Sequence, residues 1–240
     1  MDRERHLAAL RHEAAALAAA ARAAAPDTPV PSCPAWDVMR LVRHTTHAYR
    51  WVTRIVSTHA DAEVDETEVD LPDGSPEAYE QALAELVETL TNEAPDTRCW
   101  NWSGEDLTVA FWCRRMAQET AVHRWDAQLA AGDARPVEPE LAADGVDEML
   151  GVFLPVYLAQ TPVDGLSGTA ALVATDTGDT WHATFHPDRA EVVRNGATDA
   201  GATLRGSASD LLLALWGRGV AVETSGDPRL VTMLTEGEGG

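Results

Sequence analysis

The segment Arg114–Ala127, RRMAQETAVHRWDA, decides the fold of the first part of the chain. It predicts a helix, because its alanines and its methionine are good helix formers and neither glycine nor proline interrupts it. Glu119 and His123 are four residues apart, so a helix places them on one face, about 40° apart around its axis and about 6 Å apart along it. A carboxylate and an imidazole at this spacing can bind one metal ion. Asp126 follows one turn later, where it could accept a hydrogen bond from the ring nitrogen of His123 that does not bind the metal.

Two ligands on one helix are half of a metal site, and the best candidate for a third is His44 in the segment Leu41–Trp51, LVRHTTHAYRW. Two imidazoles and one carboxylate leave coordination positions open for water or substrate, which suits catalysis better than a closed structural site. His47 lies about one turn after His44, and the pattern leaves its role open. The spacing of Glu119 and His123 is short and common on helices, so by itself it also fits two ordinary surface residues.

Two longer motifs resemble one known family. Val30–His44 (VPSCPAWDVMRLVRH) and Arg115–Ala127 (RMAQETAVHRWDA) closely resemble segments of the mycothiol-dependent maleylpyruvate isomerases, which belong to the DinB-like metal-binding helical bundles. The resemblance implies that His44, Glu119 and His123 bind a divalent metal ion. Zinc is the expected metal, although ligand softness and geometry do not exclude others. It also implies mycothiol, a low-molecular-weight thiol, as cosubstrate.

The resemblance implies a particular chemistry at these ligands. A thiol that coordinates a divalent ion loses its proton and becomes a strong nucleophile at neutral pH. The expected function is therefore a metal-dependent isomerase or S-transferase that uses mycothiol to act on a small electrophilic substrate. Two alternatives stay open: a metal-dependent hydrolase that activates water at the same ligands, and a non-catalytic metal-binding module. The sequence does not choose between isomerase and S-transferase, and it does not name the substrate.

Periodicity and turn residues predict an α+β chain. Helices are expected at residues 3–24, 37–57, 76–91, 109–131 and 138–158, with Asp37 and Ser75 as caps and a kink at Pro155. Strands are expected at 170–175, 180–186, 190–194 and 202–205, with helices before Gly217 and over 227–235. The change of pattern predicts a helical domain over residues 1–162 and a small α+β domain over residues 163–240, and the resemblance implies that the first is a DinB-like four-helix bundle.

The second part of the chain carries its own resemblance. LVATDTGDTWHATF and GSASDLLLALWGR are similar to the sterol-carrier-like C-terminal domain of the same family. The resemblance suggests that Arg218, at the end of L-W-G-R, faces the cleft between the domains, where its planar fork could hold a carboxylate. An arginine that serves the carbonyls at the end of its own helix is an equal alternative. The resemblance therefore makes Arg218 the expected catalytic residue, and the helical half offers few obvious cations near the predicted ligands.

Composition restricts the classes of partner. The chain has 39 acidic residues against 18 basic ones, a formal charge of −21. An acidic chain without a basic run argues against nucleic acid and against anionic membrane surfaces. Cys33, Cys99 and Cys113 form no C-x-x-C pair and no disulfide framework, which fits a reducing cytoplasm. Cys33 is expected to be a small packing residue before a helix. The expected partners are a small-molecule substrate and a low-molecular-weight thiol.

Overall fold

The computed structural model describes residues 1–161, 165–186, 189–196 and 199–236. The chain divides into two compact units, Met1–Arg135 and Pro136–Gly240. The first unit is helical, and the second combines helices with a sheet, which confirms the predicted α+β class. Within the part of the chain that the structure describes, no helix combines the length and the apolar character needed to cross a membrane.

The first unit is a bundle whose helices are α1 (Arg3–Ala23), α2 (Val38–Ser57), α3 (Pro76–Asn92) and α4 (Val109–Ala130). Helix α1 packs mainly on α4 and α2 mainly on α3, while α2 also lies against α4. The two predicted caps are confirmed: Asp37 accepts a hydrogen bond from the backbone of Arg40, and Ser75 accepts one from the backbone of Ala78. Each cap satisfies a donor that the first turn of a helix would otherwise leave unpaired.

Helix α4 forms the centre of the bundle. Most of its side chains between Val109 and Ala127 are buried, including polar ones. Buried polar groups must find partners, because an unpaired one costs free energy. Thr120 Oγ1 lies 2.7 Å from the hydroxyl of Tyr49 on α2, and Arg124 Nε donates to Glu13 on α1. These contacts fix the rotation of α4, and therefore which side chains it presents toward α2.

The loop after α2 lies along that helix. The sequence predicts an exposed acidic loop over residues 60–75, and the structure shows it held by α2. Three α2 side chains donate hydrogen bonds to its backbone carbonyls: Arg43 to Pro72, Arg50 to Asp70 and Trp51 to Val64. Arg54 adds an ion pair with Glu68 at 3.1 Å. The loop thereby places Leu71, which is 75% exposed, next to the N-terminal half of α2.

The second unit is built around a sheet with strand order β3-β2-β1-β4-β5. Its strands are β1 (Gly168–Ala174), β2 (Thr180–His186), β3 (Arg189–Arg194), β4 (Ala202–Gly206) and β5 (Glu223–Gly226). Its helices are α5 (Pro139–Glu148), α6 (Leu154–Gln160), α7 (Ala208–Leu215) and α8 (Pro228–Glu236). Strand β1 pairs antiparallel with β2 and parallel with β4. The sequence D-T-G-D between the two predicted strands is typical of a hairpin turn, and it joins β1 to β2 in this way.

The helical segment before the sheet differs from the prediction in two ways. The expected helix over residues 138–158 is divided by a π-helical turn, Met149–Phe153, just before Pro155. Proline lacks an N–H group and its ring crowds the preceding turn, so a wider turn accommodates it. Helix α5 packs on α7, which places it in the second unit. The compact units therefore divide at residues 135/136, before this segment, whereas the sequence places the domain boundary after it, at 162/163.

One histidine of the sheet is buried, whereas the sequence predicts it at the surface. Its position on a strand predicts His182 at the surface, but the side chain is only 8% exposed. Strand β2 is paired on both sides, with β1 and with the edge strand β3. The expectation of a surface histidine is wrong for His182.

Candidate metal centre

The packing of α2 on α4 brings the three predicted ligands together. His44 belongs to α2, whereas Glu119 and His123 belong to α4. Their ligand atoms all lie within 4.8 Å of one another. Glu119 Oε1 is 3.0 Å from Nε2 of His44 and 3.2 Å from Nε2 of His123, so both imidazoles converge on one carboxylate oxygen. Two imidazoles and a carboxylate are a donor set that suits zinc and related divalent ions.

Asp126 orients His123. Its Oδ2 lies 2.9 Å from Nδ1 of His123, as the sequence predicts. A carboxylate at this position keeps the proton on Nδ1 and leaves Nε2 able to bind a metal. Asp126 is completely buried, and it accepts further hydrogen bonds from Ser32 Oγ at 2.6 Å and from Cys33 Sγ at 3.9 Å. The segment before α2 thus supports the ligand on α4.

Arg115 holds the other oxygen of the central carboxylate. Its Nη2 lies 3.3 Å from Glu119 Oε2, and its side chain is only 4% exposed. Glu119 therefore contacts the two imidazoles through Oε1 and the guanidinium of Arg115 through Oε2. Arg115 is not among the predicted site residues, although it lies four residues before Glu119 on a predicted helix, a spacing that brings side chains together.

The electrostatics of the two α4 ligands are coupled. Burial by itself would raise the pKa of Glu119, but the neighbouring His123 outweighs it, and that pKa lies well below its usual value. Burial likewise disfavours the charged form of His123. The carboxylates of Glu119 and Asp126 together have a larger effect than burial, and they raise the pKa of His123 to about 9. At neutral pH and without metal, the pair is therefore a carboxylate beside an imidazolium. A divalent cation would take the place of that proton.

The candidate centre is most exposed at His44. The His44 side chain is 41% exposed, whereas those of Glu119 and His123 are 18% and 7% exposed. Trp36 covers part of the set: the centre of its ring lies 5.8 Å from that of His123, at an interplanar angle of 29°, and 4.8 Å from that of His44. The sequence predicts Trp36 as core or cleft wall, and the structure makes it a wall. A small molecule would approach from the side of His44.

A surface pocket of about 520 Å³ adjoins His44. Its lining residues come from α2, the segment before it and the loop after it: Trp36, Asp37, Met39, Arg40, Arg43, His44, His47 and Leu71. Two of them are arginines, so the expectation of few cations near the ligands is wrong. The signal was present in the sequence, because Arg40 lies four residues before His44 and therefore on the same helical face.

His47 also lines this pocket. Burial lowers its pKa below the ordinary value, so the ring is neutral at neutral pH. Its Nδ1 is buried and has no hydrogen-bond partner among the residues that the structure describes. Its role stays open, as it does in the sequence.

Arg218 lies in the second unit, just after α7. Its Nη1 donates to the carbonyl of Trp216 at 2.7 Å, and its guanidinium lies 5.9 Å from the centre of the Trp216 ring. This hydrogen bond is made to a carbonyl at the end of α7. It is the contact expected if Arg218 only satisfies the end of its own helix and has no catalytic role. The catalytic role of Arg218 stays a prediction.

Comparison with known families gives two matches along the chain. The family described as the mycothiol maleylpyruvate isomerase N-terminal domain matches residues 7–128. The MDMPI C-terminal domain matches residues 140–232. A comparison with curated protein sequences gave no match.

Solved structures share the fold. The crystal structure of the mycothiol-dependent maleylpyruvate isomerase has a TM-score of 0.67 at 12% sequence identity, with 95% of each chain covered. A histidine-to-alanine mutant of the mycothiol-dependent maleylpyruvate isomerase has a TM-score of 0.63 at 13% identity, again with 95% of each chain covered. At this level of identity the likeness concerns the fold alone.

Proposed function

Because the chain belongs to the mycothiol maleylpyruvate isomerase family, we propose that it is a metal-dependent enzyme that uses mycothiol as a nucleophile toward a small electrophilic substrate. The reaction is the cis–trans isomerisation of an unsaturated acid such as maleylpyruvate, or the transfer of the thiol to an electrophile. The observation that carries this proposal is the convergence of His44, Glu119 and His123 at one point on the surface of the bundle.

The residues present fit a divalent ion. His44 and His123 would supply neutral nitrogens and Glu119 an anionic oxygen, and we favour zinc on the softness of this set. A bound divalent ion lowers the pKa of a coordinating thiol, so that the thiolate exists at neutral pH. Asp126 would hold His123 in the required tautomer, and Arg115 would hold the second oxygen of Glu119 in place.

The isomerisation follows from the nucleophile. The thiolate adds to one carbon of a double bond that is conjugated to a carbonyl, so a C–S bond forms and the electron pair of the double bond moves onto the carbonyl oxygen. The former double bond is now a single bond and rotates. Expulsion of the thiolate then restores the double bond in the trans geometry. A transferase would instead keep the C–S bond and protonate the adjacent carbon.

The residues around the candidate ligands would favour reaction with the thiol over reaction with water. Trp36 covers one side of the two imidazoles and limits the access of water, while the His44 side stays open to a small molecule. We place the reaction in the cytoplasm, where the thiols of Cys33, Cys99 and Cys113, which form no disulfide, stay reduced.

The test uses purified, zinc-loaded protein with mycothiol and maleylpyruvate. We expect conversion to the trans isomer, or a mycothiol conjugate detected by mass spectrometry, only when metal and thiol are both present. His123→Ala should lose stoichiometric metal and activity together. His59→Ala is the matched control, because His59 is a histidine of the same unit that pairs with Glu93 and is not one of the candidate ligands.

The outcomes separate the alternatives. Full metal content in the His123→Ala variant would refute the ligand assignment. Turnover of an ester or amide without mycothiol would favour the hydrolase, and metal binding without turnover of any electrophile would favour the binding module. The binding of mycothiol should also release a proton, and calorimetry in buffers of different ionisation enthalpy measures that release.

A further inference from the structure

The pocket beside His44 contains an unusual concentration of positive charge. Helix α2 carries Arg40, Arg43, Arg50 and Arg54 and has no acidic residue, although the whole chain has a net charge of −21. Arg54 pairs with Glu68, and Arg50 contacts the loop backbone. Arg40 and Arg43 line the pocket.

Neither pocket arginine is neutralised by a carboxylate among the described residues. Arg43 Nε donates to the carbonyl of Pro72 at 3.0 Å, and Arg40 Nη1 donates to the carbonyl of Ala35 at 3.3 Å. The Arg40 guanidinium also lies over the ring of Trp36, 5.5 Å from its centre. Each side chain is thus oriented by one neutral acceptor and keeps further N–H groups for a ligand.

The acidic residue of the pocket is engaged elsewhere. Asp37 Oδ1 accepts the backbone N–H of Arg40 at 2.7 Å and caps the helix. Its carboxylate therefore serves the first turn of α2. The pocket therefore combines two guanidinium groups with one carboxylate, a net positive charge, beside the neutral imidazole of His47 and the apolar side chains of Trp36 and Leu71. Cations above apolar walls suit an organic anion with a short carbon skeleton.

We propose that this pocket binds the carboxylate of the substrate and that Arg40 and Arg43 are the specificity-determining residues that recognise it. The inference rests on the proposed function, because His44 belongs both to the pocket and to the candidate metal set. Arg40 and His44 are one helical turn apart, so a carboxylate held by Arg40 would place the adjacent carbons of a short acid beside the nucleophile.

The test measures the binding of maleate, an unsaturated dicarboxylate, to the metal-loaded full-length protein by calorimetry. Arg40→Gln and Arg43→Gln should each weaken the affinity about 10-fold, and the double variant about 100-fold, because each removes a charge-assisted hydrogen bond. Arg50→Gln is the matched control. It removes the same charge from the same helix and a similar contact with the loop, but lies outside the pocket, so we expect a change of less than about 2-fold.

Other probes define what the pocket recognises. Neutral dimethyl maleate should bind equally weakly to the parent protein and to the double variant. Inorganic phosphate that bound more tightly than maleate, with the same dependence on Arg40 and Arg43, would overturn the assignment to a carboxylate. The single variants keep the test decisive if the double variant does not fold, and the thermal midpoint checks the fold of each.

Different results would refute the pocket assignment and the proposed function. Equal maleate affinity in the parent and in the arginine variants overturns the pocket assignment, even if the protein consumes mycothiol. Maleate binding that depends on the arginines, in a protein that shows no thiol-dependent proton release, keeps the pocket and refutes the mycothiol chemistry. Metal content should be the same in all these variants.

Discussion

At the scale of single residues, Glu119 holds the candidate centre together. One of its oxygens faces two imidazoles, and the other faces the buried guanidinium of Arg115. The charge of His123 foremost, and that of Arg115 to a smaller extent, keeps the carboxylate ionised in a buried place, where burial alone would raise its pKa and favour the protonated form. The same charge that now stabilises the imidazolium of His123 would bind a metal ion. Metal and proton therefore compete for one site.

This competition predicts how the stability of the metal-free protein depends on pH. Burial opposes the charged ring of His123, but the nearby carboxylates raise its pKa to about 9, against about 6.5 in an unfolded chain. A raised pKa contributes stability that is complete below about pH 6.5 and is lost as the pH rises through about 9. We expect the thermal midpoint of the metal-free protein to fall across this window, and differential scanning calorimetry would show the fall.

Variants identify the titrating group. His123→Ala should flatten the pH dependence of the midpoint in this window, whereas His59→Ala should preserve it. Parallel profiles for the parent and the His123→Ala variant would contradict the assignment. Metal-loaded protein should show a flatter profile, because the metal ion then occupies the place of the proton.

The hydrogen bond from His123 to Asp126 predicts a second result. Asp126→Asn keeps the size of the side chain and removes the charge that orients the imidazole. Loss of such a partner typically weakens metal affinity about 10- to 100-fold. Competition with a chromophoric chelator would measure this loss. Ser32→Ala removes a hydrogen bond to Asp126 but keeps its carboxylate, so it should have the smaller effect. Equal affinity of Asp126→Asn and the parent would show that Asp126 does not tune the site.

At the scale of helices and strands, α4 depends on α1 through a buried ion pair. Arg124 Nε donates to Glu13 Oε2 at 2.6 Å, and each side chain is only 4% exposed. Arg124→Met would leave the carboxylate of Glu13 buried without its counter-charge, which typically costs about 3–5 kcal/mol. Urea unfolding should show this loss of free energy.

The exposed pair between Arg54 and Glu68 is the control for that prediction. Both side chains are about half exposed, so Arg54→Ala should cost less than about 1 kcal/mol. Adding Glu13→Leu to Arg124→Met should recover much of the lost free energy, because neither position of the pair then carries a buried charge. A loss below about 1 kcal/mol for Arg124→Met would show that Glu13 finds water or another partner.

The sequence predicts the elements of the first unit well because their signals are local. The caps at Asp37 and Ser75 and the apolar spacing of the helices depend on neighbours within a few residues. Strand β5, Glu223–Gly226, was missed because it is short, polar and exposed, at the edge of the sheet. Its last residue needs to be glycine: Gly226 has φ +86°, and a Cβ there would meet the carbonyl oxygen of Gly201 at 2.0 Å.

At the scale of the whole molecule, the sequence is least informative where distant segments meet. The spacing of Glu119 and His123 predicts half of a site, whereas His44 was only a candidate for the third ligand until the family resemblance supported it. The pocket beside it combines α2 with a loop held by hydrogen bonds to backbone carbonyls, and these leave no mark in the residue pattern. The assignment of α5 to the second unit likewise depends on its packing against α7.

The final prediction concerns both units, because the candidate ligands lie in the first and Arg218 lies in the second. We propose that the guanidinium of Arg218 contributes to turnover. Arg218→Ala should then lower turnover about 10- to 1,000-fold, the scale of losing a charge-assisted contact in the transition state. Arg218→Lys should also be impaired, because it keeps the charge and loses the planar fork. Arg205→Ala is the control in the same unit, since Arg205 is about half exposed and pairs only loosely with Glu223 at 3.8 Å.

Metal content and stability distinguish this role from a structural one. The hydrogen bond from Arg218 to the carbonyl of Trp216 caps the end of α7, so its loss should cost about 1 kcal/mol and leave the metal content of the first unit unchanged. Steady-state kinetics at saturating mycothiol, with metal analysis of the same samples, would measure both quantities. Parent-level turnover in Arg218→Ala, together with the small loss of stability, would make Arg218 a helix-end residue and would leave recognition of the acid to Arg40 and Arg43.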